Sequence, residues 1–136
     1  MKYHHKAFVR WDDLDAMGHV NNAKYLTFAQ EARFEWSFAK NPIAAENNEF
    51  LKMVVARAEV DFKNPIFHGG TYVDVVLWVD SIGNSSFSMT YEVKGEDVLF
   101  ARIRTVQVAV DESVAKSRPL NDEERGFLQQ YLEENK

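Results

Sequence analysis

The sequence predicts an α+β fold in which an antiparallel sheet covers one helix. Two observations lead to this prediction. Apolar residues recur at helical spacing from Asn22 to about Lys40, and from Val54 onward they alternate with period two through four successive segments. Strands that follow one another along a chain and are joined by short turns form antiparallel sheets. A length of 136 residues is that of one domain, so we expect residues 1–136 to share a single core.

The first half of the chain contains a predicted strand, a turn and the helix. Residues 3–11 alternate weakly and are expected to form the strand, and residues 12–21 are polar and turn-like. The helix has one stripe that is apolar enough to be buried, formed by Tyr25, Phe28, Ala29, Ala32 and Trp36. Asn41-Pro42 ends the helix, because a residue that precedes proline is disfavoured in helical geometry. Residues 41–52 then form a connection with room for one short helical turn.

The second half of the chain contains four predicted strands and a final helix. The strands cover residues 54–63, 73–79, 87–93 and 98–110, and the first of them is expected to be half-buried. In the last strand the apolar phase shifts by one residue, which predicts a β-bulge near Arg104 and Thr105. Residues 121–134 form an amphipathic helix that begins with Asn121 as its cap.

Composition excludes several classes of function. The chain has no cysteine, so disulfides and thiolate metal sites are ruled out, and His4 and His5 would point to opposite faces of a strand. We therefore predict no metal and no cofactor. A net charge of −5 argues against nucleic acid as a partner. No apolar run is long enough for a membrane span and no signal peptide precedes the first strand, so we expect a cytoplasmic protein without a membrane partner.

The most informative segment is residues 10–33, RWDDLDAMGHVNNAKYLTFAQEAR, where acidic and amide side chains precede the predicted helix. Such side chains satisfy the free N–H groups of a helix start as caps. The same N–H groups also attract developing negative charge, so the cluster equally fits a reactive site. The residues alone leave both interpretations open.

The stretch VRWDDLDAMGHVNNAKY at residues 9–25 resembles the hotdog-fold thioesterases of the acyl-CoA and 4-hydroxybenzoyl-CoA type. In that family a strand leads into a D-x-D-x-x-G-h-v-N-x-x-Y turn before a long helix. The segment ARAEVDFKNP at residues 56–65 is similar to the family's next strand. The resemblance implies a five-stranded antiparallel sheet wrapped around one central helix, a C-terminal helix, and hydrolysis of acyl-CoA thioesters to a free acid and CoA.

The resemblance also implies residue roles in the turn. Asp15 falls at the family's catalytic carboxylate, which acts as nucleophile or as general base for water. Backbone N–H groups around Asn21 and Asn22 would bind the oxyanion, and the Asn22 side chain is expected to cap the helix. Gly18 would let the backbone approach the thioester, since it has no Cβ. Asp12 and Asp13 are expected to have turn or charge-tuning roles.

Other residues have less specific expectations. His19 either assists Asp15 or braces the turn, and Tyr25 is expected in the core with its hydroxyl near the substrate. Glu31 is expected in a salt bridge between helices or subunits. Candidates for binding CoA phosphates are Arg57, Lys63, Arg102 and Arg104. The resemblance implies a homodimer or homotetramer. Five aromatic residues fit either such an interface or the core: Trp11, Phe38, Phe67, Trp78 and Phe100.

Two alternatives to hydrolysis remain at this point. A hotdog hydratase or dehydratase would use a His/Asp or His/Glu pair at the β-carbon, although the turn lacks the motif of those enzymes. A non-catalytic acyl-CoA-binding module would keep the pocket without needing the carboxylate.

Overall fold

Five long antiparallel strands curl around one central helix, as predicted. The structure, a computed structural model, describes residues 1–47 and 49–133. Its strands are β1 (Tyr3–Val9), β2 (Met53–Phe62), β3 (Thr71–Ile82), β4 (Ser86–Lys94), β5 (Leu99–Asp111) and the short β6 (Lys116–Ser117). Its helices are α1 (Lys24–Phe34), α2 (Pro42–Glu46) and α3 (Asp122–Gln130). The long strands lie in the order β1-β3-β4-β5-β2, and β6 pairs with β5.

The core lies between α1 and the inner face of the sheet. The predicted apolar stripe of the helix is buried at all five positions, from Tyr25 to Trp36. A π-helical segment, Glu35–Ala39, continues α1 directly, so the helical path extends to the Asn41-Pro42 stop. The Asn41 side chain then accepts the Ile43 N–H and begins α2.

The predicted bulge in the last strand is wrong. The inward-facing residues of β5 alternate without a break: Ala101, Ile103, Thr105, Gln107 and Ala109 are all buried. Polar side chains at two of these positions create the apparent phase shift, because the valines that follow Thr105 face outward and are half-buried. The pairing of β5 with β2 shifts register between Val55 and Arg57 of β2, and its pairing with β4 shifts at the start of β5, between Leu99 and Ala101.

The expectation that β2 is half-buried is also wrong. This strand lies at the edge of the sheet and pairs with β5. Most of its side chains are exposed on both faces, and Val54 and Phe62 are 51% and 50% exposed. Periodicity correctly predicted a strand, but it carries no information about what covers the strand.

Helix α3 closes the end of the core and begins as predicted. Asn121 Oδ1 accepts the Glu124 N–H at 2.8 Å, and Glu124 Oε1 accepts the Asn121 N–H at 3.0 Å. The helix ends at Gln130, earlier than predicted, and the last residue of the predicted range, residue 134, lies outside the described residues. Among the residues that are described, no helix is long and apolar enough to cross a membrane.

Glu124 anchors α3 to two other segments. Its buried carboxylate accepts two hydrogen bonds from the Arg118 guanidinium, at 2.8 and 2.9 Å, and one from the Leu51 N–H at 2.7 Å. Burial alone would raise the pKa of Glu124, but Arg118 and the backbone N–H groups of Asn121 and Leu51 lower it below its usual value.

Candidate active site

A tight five-residue turn carries the predicted catalytic carboxylate. Leu14 and Val20 form an isolated bridge that closes it. Inside the turn, the Asp15 N–H donates to the His19 carbonyl at 2.9 Å, and the Gly18 N–H donates to the Asp15 carbonyl at 3.0 Å. Gly18 has φ +83°, a conformation that side chains disfavour, and a Cβ built there would have no neighbour within 4 Å. The backbone conformation of the turn therefore requires this glycine.

The Asp15 carboxylate is held by one oxygen only. Oδ1 accepts the Met17 N–H at 2.9 Å, which fixes the side chain against its own turn. Oδ2 has no hydrogen bond within residues 1–47 and 49–133, and the side chain is 28% exposed. An oriented carboxylate with one free oxygen can either attack a carbonyl or take a proton from water.

The two other carboxylates of this segment, Asp12 and Asp13, differ in burial. Asp13 is buried and accepts the Arg10 N–H at 2.9 Å and an Arg10 guanidinium N–H at 3.1 Å. Its bonds tie the end of β1 to the turn, so Asp13 is a structural group. Asp12 is exposed on the same short helical segment, Trp11–Asp13.

The prediction that Asn22 caps the central helix is wrong. Helix α1 begins at Lys24, and it is Asn21 Oδ1 that accepts the Ala23 N–H, at 3.0 Å. The Asn21 N–H donates to the Asp13 carbonyl at 2.8 Å and is therefore not available to an oxyanion. Asn22 is exposed, and in the described part of the chain its N–H makes no hydrogen bond.

His19 lies beside Asp15 without a hydrogen bond to it. The imidazole Nδ1 is 3.3 Å from the Val20 carbonyl and 3.7 Å from Asp15 Oδ2. The ring also packs edge-on against Phe67, with 6.4 Å between centroids. These contacts hold the imidazole against the turn.

A cavity of about 310 Å³ opens between this turn and the end of β2. Three of its lining residues belong to the predicted site, namely His19, Asn22 and Tyr25, and Lys63 is one of the predicted CoA-binding cations. Sequence reasoning missed the other four: Val20, Phe62, Asn64 and Pro65. Tyr25 is buried and packs edge-on against Phe62 at 5.2 Å between centroids. Burial raises the pKa of the Tyr25 hydroxyl, so this group is neutral at pH 7. In the sequence, Phe62 is one of several apolar residues that alternate along the predicted strand, and nothing in that alternation distinguishes a residue that lines a cavity from the others.

Of the four cationic candidates for CoA phosphates, Lys63 alone borders this cavity. Arg102 and Arg104 lie on the outer face of β5, since they alternate with its buried residues. Arg102 donates to Glu92 at 2.8 Å, and Arg57 is paired with Glu59 on the outer face of β2.

The residues expected at a subunit interface differ in how exposed they are in the structure. Glu31 is exposed and forms no ion pair within the described ranges, so the predicted bridge is absent from a single chain. Trp11, Phe38 and Phe67 are exposed as expected. Trp78 is only 9% exposed, and its Nε1–H donates to Asp80, so of its two predicted alternatives the buried one holds. Phe100 is half-buried.

The histidines outside the turn are separated. His4 is exposed, whereas His5 faces the core and its Nδ1 lies 2.8 Å from Glu35 Oε2. Among residues 1–47 and 49–133 no three His, Asp or Glu side chains are arranged to hold a metal ion.

Comparison with known proteins gives concordant matches. The sequence profile of the thioesterase-like superfamily matches residues 9–128. A 1,4-dihydroxy-2-naphthoyl-CoA hydrolase from Nostoc punctiforme is 32% identical over 139 residues, covering 100% of this chain and 90% of that protein. A thioesterase from Thermus thermophilus, solved in complex with coenzyme A and Zn, is 30% identical with a TM-score of 0.79, over 94% of this chain and 92% of that one. A predicted thioesterase from Bacillus stearothermophilus, 24% identical, has the same fold with a TM-score of 0.88 over 100% of both chains.

Proposed function

The chain belongs to the thioesterase-like superfamily, and we propose that it hydrolyses acyl-CoA thioesters to a free acid and CoA, with Asp15 as the reacting carboxylate. The observation that carries the proposal is the Asp15 side chain, which is anchored at Oδ1 and makes no hydrogen bond at Oδ2 among the described residues. Asp15 itself does not line the cavity, but His19 and Val20, which follow it in the chain, do. The relatives support a CoA thioester as substrate, because one is named as a CoA hydrolase and another was solved with coenzyme A.

Two routes are open to Asp15. In the first, Oδ2 takes a proton from a water molecule as the water oxygen attacks the thioester carbonyl; the C–S bond then breaks and the CoA sulfur takes the proton. In the second, Oδ2 itself attacks, CoA leaves as the thiolate, and water hydrolyses the mixed anhydride to regenerate the carboxylate. After a single turnover in isotopically labelled water, label in Asp15 identifies the second route with water attacking the Asp15 carbonyl, whereas label in the product acid arises by either route.

The Asn22 backbone N–H is our candidate donor to the oxyanion. It lies at the cavity wall just ahead of α1, and the neighbouring Asn21 N–H is already bonded to Asp13. A preoriented backbone donor stabilises charge that develops on the carbonyl oxygen without reorganisation. We assign the CoA phosphates to Lys63, because a cation at the mouth of the cavity is attractive to an anion on a chain whose net charge is −5.

We propose that a second copy of the chain covers β2. This ten-residue edge strand leaves one side of its backbone without a strand partner in the described residues, and it exposes Val54, Val55 and Phe62. Long apolar edge strands pair with other chains unless they are protected. Antiparallel pairing of β2 with its copy is compatible with a two-fold dimer and places Phe62 of the cavity at the interface. Sedimentation equilibrium is expected to give a dimer or a tetramer, and a monomer at micromolar concentration would contradict this arrangement.

A panel of aliphatic and aromatic acyl-CoA thioesters, followed by release of free thiol, tests the activity. We expect turnover of at least one class. Hydration of crotonyl-CoA without thiol release would favour the hydratase alternative. A rise in melting temperature with acyl-CoA, without cleavage of any member of the panel, would favour the binding module.

A further inference from the structure

One tryptophan side chain lies at the surface, close in the chain to the proposed catalytic carboxylate. Trp11 begins the short helical segment Trp11–Asp13, which leads into the turn that carries Asp15. Trp11 is 72% exposed, whereas the two other tryptophans, Trp36 and Trp78, are 2% and 9% exposed. Packing in the core therefore does not account for Trp11.

Two consecutive glycines, Gly69 and Gly70, form the surface on which the Trp11 indole lies. A Cβ built on Gly69 would be 2.9 Å from Trp11 Cε3, and a Cβ built on Gly70 would be 3.1 Å from Cζ2 and 3.2 Å from Nε1. Distances this short leave no room for a side chain unless the indole is displaced, so the two glycines let the indole pack directly on backbone. The Gly70 N–H donates to the Val9 carbonyl at 2.7 Å, which ties this backbone to the end of β1.

The stability of a single chain does not account for this arrangement. Trp11 leaves most of its apolar surface in water, although burial of that surface would have stabilised the fold. Glycine loses more conformational freedom on folding than any other residue, so two in succession are unfavourable unless the structure requires them. Tryptophan is enriched where proteins contact other molecules, because its large ring offers much contact area. The exposed side of the indole is therefore a candidate surface for a ligand.

The segment that joins β2 to β3 links the Trp11 indole to the active-site cavity. Lys63, at the start of this segment, borders the cavity, and Phe67 packs edge-on against His19 in the wall of the same cavity. Gly69 follows two residues after Phe67. The chain from Lys63 to Gly69 spans no more than about 22 Å even when fully extended. The exposed indole is thus within reach of a long ligand whose reacting end occupies the cavity.

Coenzyme A has a shape that suits this arrangement. Its sulfur and its adenine are at opposite ends of a flexible arm, and its phosphates lie between the arm and the adenosine. With the thioester beside Asp15 and the phosphates near Lys63, as proposed above, the adenine extends beyond the mouth of the cavity. A base stacks on an aromatic side chain through its flat face and needs no specific hydrogen bond, so one fixed indole is sufficient to bind it.

We propose that the Trp11 indole, held on Gly69 and Gly70, is a stacking surface for the adenine ring of the CoA group. The inference rests on the proposed thioester hydrolysis and adds a nucleotide-binding surface to that site. A second copy of the chain is the other candidate occupant. The proposed dimer pairs β2, however, and Trp11 follows β1 at the opposite edge of the sheet. The position of the indole therefore favours the nucleotide.

The test compares the binding of coenzyme A with that of 4′-phosphopantetheine, which keeps the thiol arm and one phosphate but lacks the adenosine. By isothermal titration calorimetry, we expect Trp11→Ala to raise the Kd of coenzyme A about tenfold, as is typical for loss of one base–aromatic stack. The Kd of 4′-phosphopantetheine should not change. Trp11→Phe keeps a flat ring and should weaken coenzyme A less than Trp11→Ala does. Tyr72→Ala removes another exposed aromatic side chain and, as the control, should keep the wild-type Kd.

Tryptophan fluorescence gives an independent measurement. Trp36 and Trp78 are buried, so a stacked adenine should quench mainly the emission of Trp11. We expect coenzyme A, and not 4′-phosphopantetheine, to quench the wild type, and we expect this quenching to be lost in Trp11→Phe. Gly69→Ala places a methyl group against the indole and should also weaken coenzyme A, which provides a second variant if Trp11→Ala does not fold.

The outcomes separate this inference from the proposed function. Thiol release from acyl-CoA together with an unchanged Kd of coenzyme A in Trp11→Ala overturns the stacking surface and leaves the hydrolysis intact. Equal losses for coenzyme A and 4′-phosphopantetheine, or a wild type that binds both alike, also overturn it. A dimer that dissociates in Trp11→Ala would assign the indole to a second copy and overturn the proposal. A loss confined to coenzyme A, in a protein that cleaves no thioester, supports the stacking surface and overturns the hydrolysis.

Discussion

The Asp15 carboxylate and the His19 imidazole lie on opposite ends of one five-residue turn, with 3.7 Å between Oδ2 and Nδ1. This distance is too long for a hydrogen bond, whereas the same Nδ1 is 3.3 Å from the Val20 carbonyl. The imidazole therefore contacts the backbone of the turn more closely than it contacts the carboxylate. Sequence reasoning left assistance and bracing equally open for His19, and this geometry favours bracing.

We expect His19→Gln to retain most of the activity. Glutamine keeps a donor for the Val20 carbonyl, so the turn that positions Asp15 should persist. We predict a decrease in kcat of less than about tenfold, because removal of a general acid or base costs about 10²–10⁴-fold. Steady-state thiol release measures this, and a loss of several hundredfold in a folded variant would assign His19 to the chemistry.

Substitutions of the two asparagines ahead of α1 should have different effects, one on the stability of the fold and the other on neither stability nor catalysis. Asn21→Ala removes the side-chain acceptor of the Ala23 N–H and is expected to lower the free energy of unfolding by about 1 kcal/mol, the usual contribution of one hydrogen bond. Asn22→Ala removes an exposed side chain but leaves the backbone N–H, so both stability and kcat should remain close to wild type. Urea denaturation and thiol release provide the two measurements. A large loss of kcat in Asn22→Ala would show that the side chain, not the backbone, contacts the substrate.

Lys63→Gln should weaken CoA binding without altering the reaction. The cation borders the cavity, so its loss is expected to raise KM about tenfold while kcat changes little. Raised ionic strength should increase KM for the wild type more than for the variant. Arg104→Gln is the matched control on the outer face of β5, and the prediction fails if that variant shows the same increase.

Glu124 should make stability depend on pH. Because its pKa is lower in the folded chain than in the unfolded chain, its contribution is complete above the unfolded value of about 4.3 and is lost as pH falls through the folded value. At pH 7, Glu124→Gln is expected to lower the free energy of unfolding by about 3–5 kcal/mol, since Arg118 would lose its carboxylate partner.

The difference in the free energy of unfolding between the wild type and Glu124→Gln should become smaller as pH is lowered from 6 toward 3. Urea denaturation at each pH measures this difference. Glu123→Gln, at an exposed site one residue earlier on α3, is the control and should show little change. A deficit that stays constant over this pH range would mean that the Glu124 carboxylate is not the source of the stability.

Local signals in the sequence predicted local structure well. Asn121 predicted the start of α3, and the DxDxxG pattern predicted the turn that carries Asp15. In both cases the determining contacts lie within a few residues. The buried face of α1 was also predicted correctly, because five apolar residues at helical spacing lie on the same side of a helix.

Features that depend on distant contacts were missed. The apolar phase shift in β5 led to the predicted bulge, but Thr105 and Gln107 face inward, and only Tyr91 and Arg33 from other elements explain their burial. The exposure of β2 depends on its place at the sheet edge, and strand order is not encoded in alternation. The position of the N-cap depends on the exact start of the helix: α1 begins at Lys24, so Ala23 is its N-cap, and Asn21 only accepts the Ala23 N–H ahead of it.

The central claim is that the Asp15 carboxylate carries the reaction, and the most direct measurement is kcat for thiol release by Asp15→Asn beside Asp12→Asn. Both variants replace a carboxylate of the same segment by an amide, and Asp12 is exposed three residues before Asp15. We predict that Asp15→Asn keeps a wild-type melting temperature within a few degrees and loses about 10²–10⁴-fold in kcat. Asp12→Asn should stay within about twofold of the wild type, as expected for a surface substitution. Near wild-type turnover by a folded Asp15→Asn protein would contradict the claim.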